Sequence, residues 1–177
     1  NKDGSGQEWL YTTTDGSLIS ECDWSYDGSK IALKTNDLHG YNSKIIVIDM
    51  LGNILKTVLS DENGASGGLN FSVDGNYLVY CHDVSGYQDD HYRQLDSHIF
   101  LYNLTTNTAR DLSVESEKEN GTNDLDPRLS PNNSQIIFTN TSNDGISVKN
   151  IMVISISSDT ESERASLFSN GEMPDWE

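Results

Sequence analysis

The residues best suited to chemistry lie in one polar segment near the middle of the chain, residues 82–98. Three of the four histidines of the protein occur there, and His82 and His98 stand at its two ends. Imidazole and carboxylate groups together form the ligand set that zinc and other first-row divalent cations accept. The spacing does not define a metal site, because no His-x-His or His-x-x-x-His pattern places two imidazoles on one element.

The same segment is also suited to contact with a protein partner, because tyrosine and arginine often anchor protein–protein interfaces. Three interpretations are therefore open: a metal site at His82 and His98, a loop that recognises a partner, or a plain solvated loop. The loop residues proposed for partner contact are Tyr87, Asp89, Asp90, His91, Tyr92 and Arg93.

These residues must be positioned by a segment that recurs along the chain. Copies occupy residues 23–33, 70–80 and 128–138, and a fourth begins at Asp175. The apolar anchor residues of the copies are separated by 47, 58 and 47 residues. Self-similarity at this period indicates a repeat architecture, in which one unit cannot bury its own apolar face. The anchors are Trp24, Phe71, Leu129 and Trp176.

Each repeat is predicted to contain four β-strands. The first two form a hairpin, whose turn is Asp27-Gly28, Asp74-Gly75 or Asn132-Asn133 in the successive copies. Gly accepts a positive φ, Asp bonds its own backbone, and Asn tolerates the left-handed region. Short apolar runs of strand type follow at residues 45–48, 99–102 and 151–154, and more polar fourth strands at 54–58, 109–112 and 163–167.

The repeated segment resembles the TolB-type propeller family, whose WD-like repeats read roughly Pro-x-Trp-Ser-Pro-Asp-Gly-x-x-Ile-Ala-Phe. Residues 23–32 match this pattern closely, and Pro127 and Pro174 supply the proline before the anchor. The third copy keeps Ser130-Pro131 but lacks Asp-Gly. The resemblance implies an all-β protein, a β-propeller of four-stranded antiparallel blades. It says little about function, because the family includes binding scaffolds and the propeller domains of some peptidases and lyases.

The whole chain is interpreted as a single, partial propeller. Closed propellers usually have at least four blades, so we expect this chain to be the C-terminal part of a larger propeller, for instance a six-bladed ring. Alternatively, a companion chain or a second copy of this chain completes the ring. The expected parts are an outer strand of a preceding blade (1–20), three blades (21–67, 68–125 and 126–171) and an inner strand of a closing blade (172–177).

Three carboxylates stand at the expected starts of inner strands. Inner strands line the central channel of a propeller, so Asp23, Asp126 and Asp175 are expected near one channel mouth. Calcium takes oxygen ligands of this kind, and Ca²⁺ or another divalent cation is the cofactor hypothesis for this set. The favoured alternative is that these side chains cap strand or turn backbone, with Arg128 as an ion-pair partner of Asp126.

The composition limits the partners and the compartment. A net charge of −17 over 177 residues argues against binding to nucleic acid or to anionic membrane surfaces. No apolar run reaches the ~20 residues of a membrane span. A sequence rich in Asn, Ser, Thr and Asp with few Lys suits a periplasmic or extracellular bacterial protein. Cys22 and Cys81 are expected on neighbouring blades, as two small buried thiols rather than as a disulfide.

Catalytic motifs are absent from the sequence, which contains no Gly-x-Ser-x-Gly elbow, nucleotide-binding glycine loop or His-Glu-x-x-His. The leading hypothesis is a non-catalytic propeller scaffold that binds another protein through loops at the channel mouth, in the bacterial envelope or outside the cell. The alternative is the propeller domain of an enzyme, such as a peptidase or a metal-dependent carbohydrate lyase, whose catalytic part is absent or unrecognised.

Overall fold

The chain forms three sheets of four antiparallel strands each, in the order in which the strands occur in the sequence. The computed structural model describes residues 3, 5–88, 91, 93–144, 146–156 and 162–176, and only the backbone of residue 61. The all-β fold of four-stranded antiparallel blades predicted from the repeats is confirmed. We call the three sheets blades 1, 2 and 3.

The strands of the blades have the following bounds. Blade 1 contains β1 (Leu18–Trp24), β2 (Lys30–Asn36), β3 (Ser43–Asp49) and β4 (Ile54–Glu62). Blade 2 contains β5 (Ser66–Phe71), β6 (Tyr77–Asp83), β7 (Ser97–Asn103) and β8 (Thr108–Asp111), and the short helix α1 (Leu112–Glu115) follows it. Blade 3 contains β9 (Thr122–Leu129), β10 (Gln135–Ser142), β11 (Asn150–Ser155) and β12 (Arg164–Ser169).

The hairpin turn between the first two strands is built in the same way in every blade. In blade 1, Ser25 Oγ donates to Asp27 Oδ1 at 2.7 Å and accepts from the amide of Lys30 at 2.8 Å. The amide of Ser29 also donates to Asp27 Oδ1, at 3.0 Å. Asp74 and Asn132 accept the equivalent bonds in the other blades. Any residue with a short side-chain oxygen serves here, which explains why Asn replaces Asp in the third copy.

The apolar core lies between blades rather than within them. Successive side chains of a strand point to opposite faces of the sheet. The third strands contain runs of consecutive apolar residues, at 45–48, 99–102 and 151–154, so both faces of each blade are apolar. One cluster joins blade 1 to blade 2, and its buried members are Ala32, Ile45, Val47, Leu69, Phe71, Leu78, Tyr80, Tyr102 and Leu104. The other joins blade 2 to blade 3, and its buried members are Val79, Ile99, Leu101, Leu112, Leu129, Ile136, Phe138 and Ile154.

The first strands of the blades pack side by side in parallel register. Asp23 Oδ2 accepts a hydrogen bond from the amide of Phe71 at 2.7 Å, and Asn70 Oδ1 accepts the equivalent bond from Leu129 at 2.9 Å. Gly68 has a φ of +66°, and a Cβ there would lie 2.5 Å from Cδ of Pro127. A side chain at position 68 is therefore excluded both by conformation and by the close approach of β9.

The outer faces of the two terminal blades are covered by short segments of the chain. Leu10 and Tyr11 pack against Leu33, Ile46 and Ile48 of blade 1. At the other end, a Cβ on Gly171 would lie 2.9 Å from Cγ1 of Ile151 of blade 3, and the amide of Met173 bonds Thr139 Oγ1. Neither residues 7–13 nor residues 170–176 are strands. Their assignment to a preceding and a closing blade stays a prediction, since strand pairing there would need middle strands that this sequence does not contain.

The part of the chain that the structure describes contains no helix that could cross a membrane. Both cysteines are free thiols. Cys81 is buried as expected, and burial raises the pKa of its thiol to about 12. The expectation of a second buried thiol was wrong, because Cys22 is exposed on β1, the first strand of blade 1.

Substitutions of Asp23 test whether its side chain joins blade 1 to blade 2. Asp23→Ala is expected to lower the free energy of unfolding by about 1–3 kcal/mol, because the amide of Phe71 loses its acceptor. Asp23→Asn is expected to be at least as stable as the wild type at pH 7. It keeps the acceptor, as Asn70 does in blade 2, and removes a charge that burial disfavours, since desolvation raises the pKa of Asp23.

Urea denaturation at pH 7 measures both variants. Equal losses for Asp23→Ala and Asp23→Asn would show that the side-chain acceptor does not join the blades.

Candidate functional site

The loop that joins β6 to β7, residues 84–96, is held at its base by one fully buried carboxylate. Asp83 Oδ1 accepts hydrogen bonds from the amides of Ser85 at 2.9 Å and Asp96 at 3.2 Å. Its Oδ2 accepts one from the amide of Leu95 at 2.8 Å. An ionised carboxylate only accepts hydrogen bonds and offers about four lone-pair sites. Asp83 therefore ties both limbs of the loop together.

The second limb of this loop is bonded to blade 3. Asn123, which is buried on β9, accepts from the amide of Ser97 and donates to the carbonyl of Gln94, both at 2.8 Å. Nδ2 of Asn143 donates to the carbonyl of Leu95 at 3.1 Å. These bonds fix residues 94–97 to two separate elements of the next blade.

Arg93 and Tyr87 extend the contacts of the loop in both directions. The guanidinium of Arg93 donates from Nε and Nη2 to the carbonyl of Asn143 in blade 3, at 3.4 and 3.3 Å. Arg93 and Tyr87 also line a small gap beside Tyr41 and Gly64, which belong to blade 1 and to its connection with blade 2. The loop is therefore bonded to blades 2 and 3 and lies beside blade 1.

His98 anchors the base of the loop through two carboxylates. Its Nδ1 lies 2.8 Å from Asp111 Oδ2, and its Nε2 lies 3.2 Å from Asp96 Oδ1. Lys118, whose side chain is only 4% exposed, donates to Asp96 Oδ1 at 2.7 Å. Burial opposes the charge of His98, but the hydrogen bond and the charge of Asp111, with the charge of Asp96, outweigh it and raise the pKa.

His82 lies directly opposite His98 in the β6–β7 ladder but has a different environment. Its Nδ1 lies 2.9 Å from Ser66 Oγ, and burial lowers its pKa. Both Ser66 and His82 are buried, so this Ser–His pair has little access for a substrate. Among the described residues, no group of three or more His, Cys, Asp or Glu side chains is arranged to hold a metal ion. Zinc at His82 and His98 stays a prediction without support from the ligand geometry.

The proposed partner-contact residues fall into two groups. Tyr87, His91 and Arg93 are exposed, and Tyr87 shows 40% of its surface to solvent. The remaining three, Asp89, Asp90 and Tyr92, lie outside the described residues.

The three carboxylates proposed for calcium have separate roles in the structure. Asp23 accepts from the Phe71 amide, and Asp175 Oδ1 accepts from the Trp176 amide at 2.9 Å. Burial raises the pKa of Asp126, and the positive charge of Arg128 opposes this rise. Arg128 also acts electrostatically on Asp23, so the structure brings these two carboxylates near one cation of the protein itself. Asp23 and Asp175 thus accept hydrogen bonds from backbone amides, which is the alternative to a calcium site. A calcium site stays a prediction.

Sequence reasoning missed the residues that hold the loop: Asp83, Asp96, Asn123 and Lys118. The available signal was weak, because it consisted only of polar residues within apolar strands, at the end of β6 and in β9. The partners of these residues are distant in sequence, so nothing local indicated which bonds they form.

Comparison with known proteins identifies the fold. No protein-family model and no curated protein sequence matches the chain. Many solved structures are similar to this chain, and the three described below match most of it. The fold is that of a β-propeller. The TolB-type resemblance read from the repeats is thus confirmed at the level of the fold, which is all that identities this low show.

The three structures match this chain to a similar extent but over different shares of their own length. TolB from Acinetobacter baumannii has a TM-score of 0.53 at 19% identity, covering 84% of this chain and 32% of that one. A chain of the nidogen–laminin complex has a TM-score of 0.58 at 13% identity, covering 88% and 49%. Prolyl oligopeptidase B from Galerina marginata, bound to a 25mer macrocyclization substrate, has a TM-score of 0.60 at 11% identity, covering 90% and 24%. This propeller segment therefore spans a quarter to a half of those chains.

The raised pKa of His98 makes the stability of the folded state depend on pH. A histidine with a raised pKa stabilises the folded state below its unfolded pKa of about 6.5, and this stability is lost as the pH rises through the folded value. His82, with a lowered pKa, acts in the opposite sense and destabilises the fold as the pH falls below about 6.5. We expect His98→Gln to lose stability relative to the wild type mainly at acidic pH, with a difference that shrinks above neutrality.

Urea unfolding between pH 5.5 and 8.5 measures this difference, with the exposed loop variant His39→Gln as the control. A loss for His98→Gln that is the same at every pH would exclude charge pairing as the cause.

Proposed function

We propose that this chain is a non-catalytic propeller segment that binds another protein, in the bacterial envelope or outside the cell. The contact surface is the end of the blades that carries the loops 37–42, 84–96 and 143–149, which we call the loop face. The opposite end, which carries the turns 25–29, 72–76 and 130–134, is called the turn face.

The observation that carries this proposal is the hydrogen bonding of the described ends of loop 84–96 to blade 2 and to blade 3. A loop that is ordered before binding loses less conformational entropy on complex formation than a mobile one. The bonds made by Asp83 hold the two limbs of this loop together, and those made by Asn123 and Arg93 hold its second limb across the junction of blades 2 and 3. Loops on a rigid scaffold are where binding residues concentrate.

Each blade also presents a large apolar side chain on the loop face. Leu38 is 74% exposed in blade 1, Tyr87 is 40% exposed in blade 2, and Ile146 is 90% exposed in blade 3. Exposed apolar groups that share one end of the molecule favour contact with a protein surface. The net charge of −17 favours a partner with a basic contact surface.

One of the similar structures supports a binding role, because the nidogen–laminin structure is a protein–protein complex. TolB and prolyl oligopeptidase B share the fold and do not decide between a binding role and a catalytic one. In this segment the Ser66–His82 pair is buried, which does not favour the alternative of a catalytic site there.

Site-specific photocrosslinking tests which of the two faces contacts the partner protein. A photoreactive phenylalanine at Tyr87 on the loop face is expected to capture a partner in the native host compartment. The matched control is the same replacement at Tyr26, which is 81% exposed on the turn face. Both sites are exposed tyrosines, so the comparison is between faces rather than between residue types.

The expected result is one discrete crosslinked species from position 87 that position 26 does not give. The species should weaken when Arg93 is replaced by Ala, since Arg93 bonds the loop to blade 3. Capture from position 26 alone would place the contact on the turn face and contradict the proposal.

A further inference from the structure

A cavity of about 320 Å³ lies between blades 2 and 3, at the turn face and away from the loop 84–96. This volume is at the lower end of the range found for small-molecule sites. Its apolar walls are Leu101 of blade 2 with Leu129 and Ile156 of blade 3, and the side chain of Tyr77 closes one side. A flat apolar ligand surface would fit against these walls.

Polar side chains line the same cavity. Asn103, Thr108 and Arg110 come from the outer half of blade 2, and Asn133 comes from the first turn of blade 3. Two amides, a hydroxyl and a guanidinium provide both donors and acceptors. Among the described atoms, Asn133 Oδ1 is buried without a hydrogen-bond partner, so a ligand that donates a hydrogen bond is favoured over a purely apolar one.

The equivalent position at the other junction is closed. The amides of Leu104 and Ile156 make the same bond, to the carbonyls of Asn76 and Ser134, so the two residues are equivalent in blades 2 and 3. Leu104 is buried in the core between blades 1 and 2, whereas Ile156 is only partly buried. The cavity is therefore a departure from the repeat and not a general property of blade packing.

The charges around the cavity favour a neutral ligand. Arg110 is ion-paired with Glu115 through Nε and Nη2. Asn133 hydrogen-bonds the carboxylate of Asp74. An anionic ligand would compete with Glu115 for Arg110 and would face the field of a protein of net charge −17. A cationic ligand would be repelled by the positive charge of the Arg110 guanidinium in the cavity wall.

We propose that this cavity binds a neutral, hydroxylated ring, with a sugar unit as the ligand class. A sugar offers hydroxyl groups that both donate and accept, which matches the amides of Asn103 and Asn133 and the hydroxyl of Thr108. It also has an apolar ring face, which matches Tyr77 and Leu101. The site is separate from the loop face, so it goes beyond the proposed protein-binding function.

The test is a titration of ¹⁵N-labelled protein with D-glucose, D-galactose and N-acetyl-D-glucosamine, followed by amide chemical shifts. A ligand this small in an open site is expected to bind with a Kd on the order of 1 mM. The shifts should saturate for at least one sugar and cluster at residues 77, 101, 108 and 133. The polyol D-mannitol, which lacks a ring face, should bind more weakly.

A matched pair of variants makes the test specific. Thr108→Trp places a large side chain in the cavity and is expected to weaken binding at least about tenfold. Ala109→Trp is the control, because neighbouring residues of a strand point to opposite faces. Both positions are exposed on β8, and the melting temperature of each variant reports whether it folds. The proposal is overturned if no sugar gives saturable shifts, or if folded Thr108→Trp and Ala109→Trp bind equally well.

Discussion

Every blade of this protein has two apolar faces, and neither face can be left in water. A four-stranded sheet with one apolar face would need only one neighbouring sheet to bury that face. Here the middle strands β3 and β7 are apolar at consecutive positions, so each blade needs a neighbour on both sides. This requirement determines how the blades stack, because Ala32, Ile45 and Val47 bury themselves only against the next blade. It also explains why Leu10 and Tyr11 lie on the outer face of blade 1.

Stacked in this way, the blades bring polar groups together that are far apart in sequence. Asp124 is fully buried on β9 and pairs with Arg164 on β12, while Ser113 of the connection after blade 2 donates to it at 2.6 Å. A buried charge is tolerated only when it is paired and hydrogen-bonded. The junction of blades 2 and 3 meets this condition, and the loop 84–96 is attached to the same junction through Asn123. The attachment of residues 94–97 of the loop therefore depends on the packing of the blades beneath it.

The features that could be predicted from the sequence are those that are local and that repeat along the chain. The turn of Ser25, Asp27 and Gly28 could be read directly, because all its bonds join residues at most five apart. The strand pattern followed from the alternation and burial of side chains. The loop contacts could not be predicted, since Asn143 is 48 residues from Leu95, which it bonds. His82 and His98 stand at the two ends of the polar segment in the sequence, but their separate partners, Ser66 and Asp111, depend on three-dimensional packing.

The three blades carry different buried polar residues near the end of the second strand, beside the loop face. Asn36, Asp83 and Thr141 occupy equivalent positions, and all three are buried polar residues. Asn36 donates to the carbonyl of the next residue, and Thr141 donates to Ser147 of its own loop. Of these three residues only Asp83 is a carboxylate, and it collects three amides from both limbs of the longest loop. In the two shorter loops a carboxylate of the loop itself, Asp37 or Asp144, accepts two amides. In blade 2 this role passes to a buried residue of the strand, which joins the two ends of a longer loop at its base.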